Sequence, residues 1–190
     1  MPWVAWPHTF GQRGFALAEM LIAVFVVGLL ATVAMPNLNV LTVPKSEVLA
    51  REVAQVLRLA VSEARRSGQY VLVDGKTEPG TLRLYRSNVN GEVPPASGTS
   101  VVNDPLTRQP VNLTPATNTM LGTETVVPYF QAAGTWSQLL IYPGAQEFHA
   151  FDGAGSDRGA LTAGSGVRLT TATGVRLVAF QEVTGLVTLP

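Results

Sequence analysis

The chain has 190 residues, 13 basic against 13 acidic side chains, and no cysteine. That length suits one domain with an appendage, and a formal charge of zero provides no global field for nucleic acid or for a basic partner. The missing thiols exclude disulfides, thiolate metal sites, a cysteine nucleophile and a lipoprotein anchor, and leave the compartment open.

Two textures divide the sequence. From Phe15 to about Ser67 the only strong turn signals are Pro36 and Pro44, whereas beyond Gly68 the chain is rich in Gly, Pro, Thr, Asn and Val with short alternating segments. The pattern predicts a helical half followed by a β-rich half, an α+β chain.

Phe15 to Met35 is an apolar run whose only ionisable member is Glu19. As a helix it measures about 31 Å, the thickness of a hydrocarbon core. Arg13 precedes it, a thin signal that keeps the short N-terminus in the cytoplasm. Three readings compete. A signal peptide would use Thr32-Val33-Ala34 as its cleavage site, with an unusually long apolar region that contains an acid. A plain anchor explains the length but not Glu19, since a lone carboxylate in lipid costs on the order of 3 kcal/mol. Cleavage just before Phe15 would instead create an α-ammonium four residues from Glu19, a partner that serves as a register device.

The third reading carries a family resemblance. "RGFALAE", Arg13 to Glu19, resembles the processing site of type IV prepilins and pseudopilins. The resemblance implies cleavage by prepilin peptidase between Gly14 and Phe15, N-methylation of Phe15, and an assembly role for Glu19 as fifth residue of the mature chain. Leu17 also matches, while Ala16 and Ala18 stand where Thr and Ile or Val are common. The leader "MPWVAWPHTFGQRG" has Arg13 as its only fixed charge. Pro36 falls where the family's helix carries its kinking proline.

From Ser46 the pattern becomes amphipathic. Leu49, Val53, Val56, Ala60 and Ala64 form one stripe, and Glu47, Arg51, Gln55, Arg58 and Ser62 lie mostly opposite. Glu47 and Arg51 are spaced as an i,i+4 pair, Arg65 and Arg66 suit the last turn, and Gly68 is placed for a helix stop. Pro36 and Pro44 are each expected to bend or interrupt the helix. Leu57 to Val73, "LRLAVSEARRSGQYVLV", is similar to a stretch of the pseudopilin H family, which includes FimT- and FimU-type minor pilins. Arg58, Ala60, Ser62, Glu63, Ala64 and Gly68 carry that likeness.

Strands are predicted at 69–73, 81–86, 135–142, 146–151, 166–171, 175–180 and 186–189, separated by Asp-Gly and Thr-Gly turns. "VRLVAF" has apolar residues at alternate and intervening positions, so it is expected to be covered on both faces. "FDGAGS" and the closing "TG" also resemble the end of the pseudopilin H family. Residues 87 to about 125 read as a long exposed insertion with one or two short edge strands, either a poorly ordered loop or a partner-facing surface.

Catalytic chemistry is not visible. His149 is the only histidine beyond the leader's His8, and no nucleophile elbow links it to Ser156 with Asp152 or Asp157. The "DGAGSD" run lacks the ligand series of an EF-hand and reads as a turn. No metal cluster, cofactor motif or phosphate-cradling loop is present. Removing the leader takes Arg13 and leaves one net negative charge, so nucleic acid is a partner that charge does not support.

The resulting expectation is an α+β, type IV pilin-like chain. Residues 1–14 form a leader, 15–35 a transmembrane and filament-core helix, 36–68 an amphipathic helix, and 69–190 an antiparallel β-rich head with a loop at about 87–125. The family resemblance implies a non-enzymatic minor pilin or pseudopilin of a pilus or a type II secretion system. It would be a single-pass inner-membrane protein with its head in the periplasm or outside the cell. Prepilin peptidase and other pilin subunits are its implied partners. The absence of cysteine leans away from major pilins that close a C-terminal loop with a disulfide. A DNA-uptake or adhesion minor pilin and a monomeric anchored binding domain are the alternatives.

Overall fold

The computed structural model describes residues 15–34, 43–88, 99–115, 125–171 and 174–189. The chain divides into two units, Met1–Val43 and Pro44–Pro190. Its class is α+β, helices first and antiparallel sheets after.

In the first unit the described residues form helix α1, Phe15–Ala34. Alanine, leucine, methionine and glutamate favour it, and Gly28, its only glycine, meets nothing that a side chain would strike. Among the described residues no helix is long and apolar enough to cross a membrane. The leader, Gly14 and Pro36 lie outside the described residues.

The second unit opens with α2, Val43–Ser67. Pro44 sits in its first turn, where a missing N–H costs nothing. The apolar stripe is buried in full: Leu49, Val53, Val56, Ala60 and Ala64 all lie in the core, joined by Leu57 and Val61. At the far end the Gly68 N–H reaches Ala64 O at 3.2 Å with φ at +64°, a conformation that an L side chain resists.

Twelve strands follow among the described residues. They are β1 Tyr70–Asp74, β2 Leu82–Ser87, β3 Thr99–Val101, β4 Asn112–Leu113, β5 Thr125–Ala132, β6 Gly134–Trp136, β7 Gln138–Ile141, β8 Phe148–Phe151, β9 Asp157–Ala160, β10 Gly166–Thr171, β11 Gly174–Phe180 and β12 Val187–Thr188. One sheet runs β3-β2-β1-β7-β8-β9 with β4 also on β2, and the other β12-β11-β10-β5-β6. Both are antiparallel throughout. The inner residues Val71, Val73, Leu84, Leu139, Ile141 and Phe148 share one core with the α2 stripe and with Phe130, Val167, Val178 and Phe180 of the second sheet. A smaller cluster of Leu72, Leu140 and Phe151 lies under Tyr70, Tyr85 and Tyr142.

Four elements differ from the expected strands. The run 135–142 is two strands, since the chain leaves the second sheet at β6 and enters the first at β7, with Ser137 between them. The eight-residue β5, which contains Pro128, is not among the expected strands. That proline lies opposite Val167 of β10, while β6 pairs only with residues 130–132. The short β9 is hidden by a sequence that reads as a turn. In β11 only Val178 and Phe180 reach the core, and Val175 is 64% exposed, so this strand is covered on one face and not on both.

Gly166 shows how tightly β10 and β11 meet. A Cβ built there would lie 2.2 Å from Val178 O and 3.0 Å from Ala179 Cα, both backbone. Gly166→Ala must push the two strands apart at a fully paired position, and it is expected to cost about 1–3 kcal/mol. A denaturant midpoint lower than wild type with an unchanged slope checks this.

Candidate functional site

The feature with the clearest chemistry is α1. Its described side chains, Leu17 to Leu30, are all exposed, with Leu17, Met20, Val24 and Phe25 each about 70% accessible or more. Apolar residues occupy every side of the helix, whereas a helix lying on a globular core needs only one apolar stripe. Soluble monomers rarely expose more than a few hundred Å² of contiguous apolar surface, and a helix that is apolar on every side is suited to burial. Covering each large side chain contributes roughly 1.5–3 kcal/mol.

Within that apolar surface stands Glu19, which is exposed. Phe15 begins the helix, and positions 15 and 19 lie on one helix face, about 6 Å apart along the axis. An amine at Phe15 would therefore share a face with the only carboxylate of α1. Of the residues expected to matter, Phe15 and Glu19 thus fall on one described element, and Gly14 and Pro36 lie outside the described residues.

The second unit has two polar clusters. The first joins the end of α2 to β2. The Glu63 side chain is 7% exposed and accepts bonds from Arg66 Nη2 at 2.8 Å and from Arg86 Nη1 at 3.1 Å. Ser67 Oγ caps the Glu63 carbonyl at 2.7 Å.

The second cluster joins β8 and β9 to Tyr142, the residue that follows β7, and to Glu147, the residue before β8. His149 Nδ1 sits 2.7 Å from Asp157 Oδ2, and Tyr142 O–H donates to the same oxygen at 3.1 Å. An ionised carboxylate only accepts, so the ring proton belongs on Nδ1. The other nitrogen, Nε2, faces the Glu147 carboxylate at 3.6 Å. The Ser156 N–H bonds Asp152 Oδ1 at 2.9 Å. The sequence offered no spacing that linked His149 to Asp157, and the β8–β9 hairpin brings them into contact. Burial pushes the Asp157 carboxyl up, but the Gly159 N–H, His149 and Tyr142 outweigh it and the net displacement is downward. Among the described residues no group of three or more His, Asp or Glu is placed to hold a metal ion.

Asp152, in the turn before β9, is held more strongly. The N–H of Ser156 leads, followed by the Arg158 guanidinium and the Ala154 N–H, and together they bring its carboxyl down to about 2. A depressed carboxyl contributes stability that is fully present above the unfolded value, near 3.8, and is lost as pH falls through about 2. Asp152→Asn should therefore lower the melting temperature above pH 4, and the two proteins should converge towards pH 2. Melting curves across that range check the convergence; a constant offset would contradict it.

Comparison with known families finds a match to the model described as the prokaryotic N-terminal methylation motif, over residues 9–35. That motif is the type IV pilin-like prepilin signal, and it implies processing by prepilin peptidase. The match ends before α2 begins. No curated protein and no solved structure matches the chain.

Proposed function

We propose that this chain is a structural subunit, rather than an enzyme, of a type IV pilus-like filament or a type II secretion system. Within that class it is a minor pilin or pseudopilin of the H type. It is made as a precursor, held in the inner membrane by residues 15–35 with its head outside the cytoplasm, and cut by prepilin peptidase between Gly14 and Phe15. Phe15 is then N-methylated. The subunit joins a helical filament by burying α1 among the equivalent helices of other pilin subunits.

The observation that carries this reading is the methylation motif at 9–35, laid over a helix that begins at Phe15, is apolar on every side and holds a single acid. Lipid satisfies the apolar surface but not the carboxylate. A bundle of processed subunits satisfies both, because each brings one new amino terminus for one Glu19. Such a pair offsets its desolvation only in good geometry, so it selects one axial register between neighbouring helices while apolar burial holds them together. The likeness of Leu57 to Val73 to the pseudopilin H family supports the finer assignment.

Processing is tested at its first residue. Gly14→Ser should leave full-length precursor in the membrane, seen as a larger band beside the processed wild type on an immunoblot. Processing that continued unchanged would show that the cut lies elsewhere. Crosslinking to other pilin-like subunits separates a filament component from a monomeric anchored domain.

A further inference from the structure

The outer side of α2 is the floor of a trough. Between it and the segment 181–187 lies a cleft of about 520 Å³, and beside the 104–106 turn a second hollow of about 640 Å³. The two share Arg58 and Ser62, and together they follow α2 from Arg51 to Arg65, about 21 Å.

Three arginines recur along this floor every seven residues: Arg51, Arg58 and Arg65. Arg51 is paired with Glu47. Arg58 and Arg65 instead donate to the main-chain oxygens of Val187, at 3.0 Å, and Thr184, at 3.5 Å. A carbonyl satisfies a donor without neutralising its charge, and among the described residues neither guanidinium has a carboxylate partner. The walls carry exposed leucines beside the polar Asp104, Gln181 and Thr184. Leu106 is 89% exposed, Leu186 57% and Leu189 43%. The turn that carries Leu106 is tightly tied: Asp104 Oδ1 accepts the N–H groups of Leu106 and Thr107 at 2.8 Å, and Arg108 is held at a φ of +58°. The chain thus fixes a leucine in water beside two arginines that make no ion pair among the described residues, with Asp104 lining the Arg58 end of the trough.

We propose that this trough receives an acidic protein segment from a different chain, its carboxylates on Arg58 and Arg65 and an apolar side chain between Leu106 and Leu186. This contact belongs to the head and is separate from assembly through the N-terminal helix. Charge and shape choose the occupant. A second copy fits poorly, since Glu47, Glu63, Glu78, Asp152 and Asp157 of the described head already sit in ion pairs. Single-stranded nucleic acid favours aromatic platforms, and these walls carry leucines instead. A membrane surface is flat, whereas here the guanidinium groups lie inside a hollow.

The test places a photo-crosslinking phenylalanine derivative at Ser62 of the full chain in the producing cells, and the captured segment is read by mass spectrometry. The expected segment carries at least two Asp or Glu within a heptad of an apolar residue. Combining Arg58→Glu with Arg65→Glu should cut the yield by about tenfold or more, as expected for desolvated charge pairs. In a second variant Gln55 carries the crosslinker and Ser62→Trp fills the trough without changing charge. It should lose the product equally, which keeps the test decisive if charge reversal impairs folding. Capture of the same chain, of lipid, of nucleic acid or of a non-acidic segment overturns the proposal. So does a yield indifferent to both variants, or no product above background.

Discussion

Glu19→Ala should improve membrane insertion and yet exclude the subunit from the filament. The substitution removes a carboxylate that costs on the order of 3 kcal/mol in lipid, so anchoring can only gain. In a bundle of processed helices the same change leaves the Phe15 amine desolvated and alone. Removing one partner of a buried pair typically costs about 3–5 kcal/mol, equivalent to a loss of two orders of magnitude or more in incorporation. Glu19→Asp, shorter by one methylene, should fall between. Membrane fractionation and a count of subunits in sheared filaments give the two readouts. Their opposite signs separate assembly from simple anchoring, in which both would stay level or rise.

The largest effect on the head is expected from Glu63→Ala. This carboxylate is nearly enclosed, and it joins the last turn of α2 to β2 through Arg86 while also holding Arg66. Its loss leaves Arg86 facing the core boundary without a counter-ion, and Arg86 Nε already lacks a partner among the described residues. Arg66 is 71% exposed and turns to water, which lowers the cost below that of a fully buried pair. The net loss should be about 2–3 kcal/mol. For a chain of this size that corresponds to a fall in melting temperature of about 5–10 °C. Glu63→Gln keeps acceptor geometry without charge and should lose about half as much. Circular-dichroism melting of the detergent-solubilised protein checks both. A shift below about 2 °C for Glu63→Ala would mean that packing alone docks the helix.

Local spacing made part of this molecule legible. The stripe Leu49, Val53, Val56, Ala60, Ala64 follows from helical period, and Gly68 marks its stop because only a residue without Cβ accepts that turn easily. The methylation motif is likewise continuous in sequence, and its match over 9–35 needs no fold. What stayed hidden depends on partners far along the chain. The strand at 125–132 is defined by its pairing with β10 and β6, which lie far along the chain or beyond a turn and leave no local pattern. Arg86 lies 23 positions from Glu63, and no periodicity links them. The trough on α2 has one wall from residues 104–106 and another from 184–189, so its charge became visible only when these met Arg58 and Arg65.

The whole reading turns on whether the oily first helix starts with a free, methylated amine. Intact mass of the protein taken from its native membrane decides this in one step. A chain lacking residues 1–14 and heavier by one methyl group is the expected result. A mass that retains Met1, or one that places the cut near Ala34, would contradict it.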